Sequence, residues 1–116
     1  MKRLLILSFC FLFLAACDTA KRPDELLSQD KMVEVLIDIH ITEGLTSAMP
    51  VAYDSSKVLY KLLEKDVFIK HKVSDSVFTQ SMLYYLRDPA EMEQIYSRVV
   101  DSLLVRESSE GIKEQF

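Results

Sequence analysis

Leu14-Ala15-Ala16-Cys17 divides this chain into a part expected to be removed and a part that must fold without one free thiol. Ahead of it, Lys2 and Arg3 form a basic start, and Leu4 to Leu14 is apolar apart from Ser8. A basic start, an apolar run and small residues before a cleavage point are the layout of a secretory signal. A cysteine directly after the small pair makes it a lipoprotein processing site. Residues 1–16 therefore read as a cleaved signal peptide, Cys17 as the lipid-bearing residue, and 17–23 as the lipidated cysteine with a polar spacer. The apolar run Leu4 to Ala16 covers 13 residues, short of the roughly 20 a membrane-spanning helix needs. Each buried methylene of an attached chain contributes about 0.8 kcal/mol, and one chain alone holds only marginally; the two or three chains of a bacterial lipoprotein hold firmly. The expected location is the cell envelope, tethered to a membrane through Cys17, outer membrane favoured over inner, facing the periplasm or the cell surface.

This reading also settles the cysteine arithmetic. Cys10 is discarded and Cys17 is consumed by lipid, which leaves no disulfide, no thiolate zinc site and no cysteine nucleophile. Removing residues 1–16 deletes Lys2 and Arg3, so 12 basic residues face 18 acidic ones and the mature net charge is −6. An acidic domain repels phosphates, so no nucleic-acid partner is expected. A hundred residues make one domain with a small core and modest stability.

Four segments follow the spacer, and all are expected to be helical. In the first, Gln29 to Leu45, Val33, Val35, Ile37, Ile39 and Ile41 alternate with other residues at nearly strict period two, and β-branched residues favour strands. A strand needs a partner for its backbone groups, however, and no second alternating run exists. The segment is therefore read as a helix, with Ser28 as its N-cap and Gly44 as its stop. The second, Asp54 to His71, has two apolar stripes: Leu59, Leu63 and Val67, and Val58, Leu62 and Ile69. A helix apolar on two sides is expected at the centre of a bundle. The third, Ser74 to Leu86, is capped by Ser74 and presents Val77, Phe78, Met82 and Tyr85 on one face. The fourth opens at Asp88-Pro89 with Glu91, a cap, a first-turn proline and a capping-box acid; Met92, Ile95, Tyr96, Val99 and Leu103 make its core stripe. It is expected to end near Arg106, leaving 107–116 as a flexible tail. The fold expected is all-α, a compact bundle of three to four helices over residues 24–106.

Few residues could carry chemistry. His40 and Glu43 stand three apart, hence are neighbours on a helix, at the edge of the apolar arc. A satisfied polar pair, with tyrosine hydroxyls from Tyr60, Tyr84, Tyr85 or Tyr96 as partners, carries more weight than a ligand or metal site. A metal wants three or four ligands, and the other histidine, His71, lies between Lys70 and Lys72; no metal and no cofactor is expected. Ser81, between Phe78 and Tyr85, lacks the Gly-x-Ser-x-Gly turn of a serine nucleophile and reads as a small residue that lets helices approach. With only two glycines in the chain, Gly-rich phosphate loops are excluded. At most one of Tyr84 and Tyr85 can face inward; the other hints at a binding surface.

Lys31-Met32-Val33, Leu36-Ile37-Asp38-Ile39-His40, Glu43, Phe78-x-x-Ser81-x-x-Tyr84-Tyr85, Asp88-Pro89 and Ile95-Tyr96 together resemble a family of small Bacteroidota lipoproteins, the domain of unknown function family 4296. The resemblance runs from about Pro23 to Arg106, with Thr46 to Tyr53 departing from it. It implies a helical envelope lipoprotein and supplies no catalytic residues; His40, Glu43, Ser81 and Tyr85 fall on positions of the family pattern and are the candidates for a buried polar or ligand site. The function expected is a lipid-anchored, non-enzymatic interaction module that holds an envelope protein partner. The alternative is a small-molecule or metal-binding domain, with or without a catalytic role, centred on His40 and Glu43.

Overall fold

The computed structural model describes residues 1–14 and 22–113. These form five helices: α1 (Lys2–Leu14), α2 (Gln29–Ala48), α3 (Tyr53–His71), α4 (Asp75–Leu86) and α5 (Pro89–Lys113). The all-α expectation holds. Among the described residues no helix is long and apolar enough to cross a membrane.

The expected compactness does not hold. The chain measures 82 × 31 × 26 Å with a radius of gyration of 21.1 Å, against about 13 Å for a compact domain of this length. Two features stretch it. Leu4, Leu5, Ile6 and Leu7 of α1 remain between 64% and 72% exposed, so the first turns of that helix lie outside the core. In addition, α5 runs for 25 residues, roughly 37 Å at 1.5 Å per residue.

The centre of the fold is α2, not α3. Its Met32, Val33, Leu36 and Ile37 pack with Tyr85 of α4 and Ile95 and Val99 of α5, while Val35 and Ile39 pack with Val67 and Phe68 of α3 and with Val73. This explains the strand-like sequence. Residues two apart lie about 200° apart around a helix, so period-two apolarity puts apolar side chains on opposite faces. A helix enclosed between two layers needs that pattern. Met32, Val35, Leu36, Ile95 and Val99 are fully buried, and each such side chain contributes roughly 1.5–3 kcal/mol. Phe78 touches both clusters and stacks at 5.3 Å on Phe68, joining the layers.

On α3 only the first apolar stripe is used. Val58, Leu62 and Ile69 are 63%, 57% and 74% exposed, because one face of α3 meets α2 and, among the described residues, no other helix covers the opposite one.

Local chemistry places the boundaries. Ser28, Ser74 and Asp88 accept backbone N–H groups of Lys31, Val77, and Ala90 with Glu91, so three helix starts are capped as expected. The α3 start differs: Ala52 occupies the cap position without a side-chain bond, and the Ser56 hydroxyl instead donates to the Thr46 carbonyl, tying the α2–α3 corner. α3 ends on Lys72 in the left-handed conformation, with Lys72 N–H bonded to the Ile69 carbonyl and Val73 N–H to the Phe68 carbonyl. This is a Schellman closure, completed by the packing of Val73 on Phe68.

Two helices outrun their expected ends. α2 passes through Gly44, where an added Cβ would meet nothing within 4 Å, and continues to Ala48. α5 passes Arg106 to Lys113, its Ser108 and Ser109 hydroxyls donating back to the Leu104 and Arg106 carbonyls, so the expected flexible tail is helical as far as it is described. α5 also packs against α2. Tyr96 and Arg98, two residues apart, reach His40 and Asp30, which lie roughly 15 Å apart along α2.

Candidate functional site

The four candidate residues form two separate pairs. His40 lies about 16 Å further along α2 than Gln29, whereas Ser81 and Tyr85 meet the chain just before α2 begins.

Ser81 and Tyr85 work together on Leu27. The Ser81 hydroxyl accepts the Leu27 N–H at 3.0 Å, and the Tyr85 hydroxyl donates to the Leu27 carbonyl at 2.7 Å. Ser81 is fully buried and Tyr85 nearly so. The i, i+4 spacing on α4 stacks the two side chains one turn apart, so one residue of extended chain finds both of its backbone groups satisfied. Ser81 is thus more than a small residue that permits close packing. With Leu26 and Leu27 against the core, the pair latches the strap that precedes α2 onto α4. Burial, followed by the charge of Glu91, raises the Tyr85 phenol above its ordinary value despite the opposing charge of Arg22, so it stays protonated and remains a donor.

His40 and Glu43 pair at 3.4 Å between Nδ1 and Oε2, with side chains 34% and 60% exposed. The Tyr96 ring stands 5.8 Å from the imidazole. Burial and the charge of Glu43 raise the Tyr96 phenol; burial, the Glu64 carboxylate and Glu43 raise that of Tyr60. Both phenols stay protonated near neutrality and cannot serve as bases. The cluster is a half-exposed polar rim where α2, α3 and α5 approach. Among the described residues no three His, Cys, Asp or Glu side chains converge as a metal group, and every buried side-chain nitrogen and oxygen has a partner.

The most concentrated charge in the fold lies at a residue that sequence reasoning missed. Asp38, 15% exposed, receives Lys70 Nζ at 2.7 Å, His71 Nε2 at 2.8 Å and, more distantly, Arg106 Nη1 at 3.9 Å. Burial on its own would raise the Asp38 carboxyl; the hydrogen bonds and charges of Lys70 and His71 outweigh it and hold the pKa below the usual carboxylate range. The cluster ties α2 to the end of α3 and the far part of α5. A carboxylate inside an apolar run was the available signal, but its partners are 32, 33 and 68 positions away.

Cys17 lies outside the described residues.

No curated protein and no solved structure shows a significant match to the chain. A family model, Domain of unknown function (DUF4296), matches residues 23–109, which takes in the strap, the latch, α2 to α4 and most of α5. The chain belongs to the DUF4296 family.

Proposed function

We propose that this chain is a lipid-anchored interaction module of the cell envelope, with no reaction centre of its own. It is held through acylated Cys17, by preference at the outer membrane, facing the periplasm or the cell surface. The location rests on the Lys2-to-Cys17 layout. The binding role is carried by one observation: the second apolar stripe of α3, Val58, Leu62 and Ile69, stays exposed along one helix face, and contiguous exposed apolar surface marks interaction sites. Lys57, Lys61 and Lys65 run beside it at four-residue spacing. In a chain otherwise acidic, that flank suits a protein partner with an apolar, acid-rimmed surface. The paired, half-exposed His40 and Glu43 supply neither a metal group nor an activated nucleophile.

Two measurements test this. Labelling cells with an alkyne palmitate analogue should mark the wild-type chain and not Cys17→Ser; an unlabelled wild type would overturn the anchor. A photo-crosslinking residue at position 62 should give one discrete adduct in native membranes, weakened by Lys61→Glu. Equal adducts from position 62 and from position 105 on α5 would remove α3 as the binding face.

A further inference from the structure

The latch has a consequence for what lies beside it. Only Asp18, Thr19, Ala20 and Lys21 separate Cys17 from Arg22, a span of at most about 17 Å when fully extended. Arg22, Pro23 and Asp24 run along α4, and with Gln80, Leu83, Tyr84 and Arg87 they line a shallow cleft of about 360 Å³. Leu27, held by both Ser81 and Tyr85, positions this wall of the cleft. Among the described residues neither Arg22 nor Arg87 makes an ion pair.

The lining carries both signs of charge. Guanidinium groups match phosphate oxygens through paired N–H donors. A carboxylate next to a half-buried aromatic ring, here Asp24 and Tyr84, suits an ammonium group. The Gln80 amide adds a donor, and Leu83, 55% exposed, adds an apolar edge. A simple anion would meet Asp24, with Asp88 and Glu91 next along Tyr84 and Arg87, and gain little. A small group bearing phosphate and ammonium together matches the two guanidinium groups, the amide and the carboxylate of the lining.

We propose that this cleft takes the zwitterionic phosphoethanolamine headgroup of a phospholipid in the leaflet that carries the lipid on Cys17; the membrane source rests on the acylation proposed above. Tether and headgroup together hold the α4 end of the domain against the bilayer, so that α3 and its exposed stripe keep a set orientation rather than swinging on a loose leash.

The test uses the processed, acylated protein beginning at Cys17 in detergent micelles, titrated with water-soluble glycerophosphoethanolamine, glycerophosphoglycerol or inorganic phosphate and followed by the NMR shifts of the Gln80 side-chain amide and the Arg87 Nε–H. Glycerophosphoethanolamine should give saturable shifts and bind at least about fivefold more tightly than the other two; Arg87→Gln and Asp24→Asn should each weaken it by about fivefold or more at unchanged melting temperature. In nanodiscs, amide exchange over residues 80–88 should be slower with phosphatidylethanolamine than with phosphatidylglycerol. Equal binding of all three probes, or no shift at Gln80 and Arg87, overturns the proposal, and so does equal exchange in the two discs. Intact mass at Cys17 is read separately: a bare thiol together with headgroup binding would sink the anchor and leave the chemistry of the cleft standing.

Discussion

Replacing Asp38 by asparagine keeps the shape of the side chain and removes its charge. In the wild type this carboxylate, 15% exposed, accepts from Lys70 at 2.7 Å and from His71, itself 11% exposed, at 2.8 Å. A hydrogen bond to a charged group is worth about 1.5–3 kcal/mol and a neutral one about 0.5–1.5. The Lys70 side chain is 68% exposed, so its share is largely screened, and the more distant Arg106 adds little. The loss falls mainly on the His71 contact, about 1–2 kcal/mol in all. For a domain of this size that lowers the melting temperature by roughly 5–15 °C. The pH dependence gives an independent check. A carboxyl whose folded pKa is lowered stabilises the fold fully above its unfolded value of about 3.9, and that stability is lost as pH falls through the folded value. Melting followed by circular dichroism on the purified chain should therefore show an acid-side decline below about pH 4 that is shallower in Asp38→Asn. A melting temperature within about a degree of wild type, with an unchanged acid limb, would refute the claim that this cluster ties α2 to α3 and α5.

Further outcomes follow from the same structure. Ser81→Ala leaves the Leu27 N–H without its partner and Tyr85→Phe frees the Leu27 carbonyl; each should cost about 1–3 kcal/mol, and hydrogen exchange at the Leu27 amide should speed up in both, whereas unchanged exchange would show that the strap is not latched. Gly44→Ala should raise stability by about 0.5–1 kcal/mol, since the new methyl meets nothing within 4 Å inside a helix; a destabilised variant in denaturant melts would show that α2 ends before this point. Lys72→Gly, at φ 55°, should relieve the left-handed strain and raise the denaturation midpoint, by up to about 1 kcal/mol; a lower midpoint would contradict the Schellman closure of α3.

Much of the fold is legible in the sequence because its signals are local. Ser28, Ser74 and Asp88-Pro89 mark three helix starts, since a cap is satisfied by backbone two or three residues on. The core stripe of α5 follows from spacing alone. Gly44 misleads because a glycine stops a helix only where the chain must turn, and here the turn waits until Thr46 and Ser56 tie the corner. The candidate residues were legible one by one, Ser81 and Tyr85 in particular, but not as a latch, because Leu27 lies 54 and 58 positions away.

Residue order by itself determined that the chain is helical and where three of its helices begin. Tertiary structure decided which helix is central, which of the two stripes on α3 is covered, and that Asp38 gathers charges from α3 and α5. The reason is one of range. Capping and periodicity act within a turn or two of the chain, whereas a helix can be enclosed on two faces, as α2 is, only by layers that arrive from distant segments, and the same period-two apolarity suits a strand when read alone and a sandwiched helix once those layers are in place.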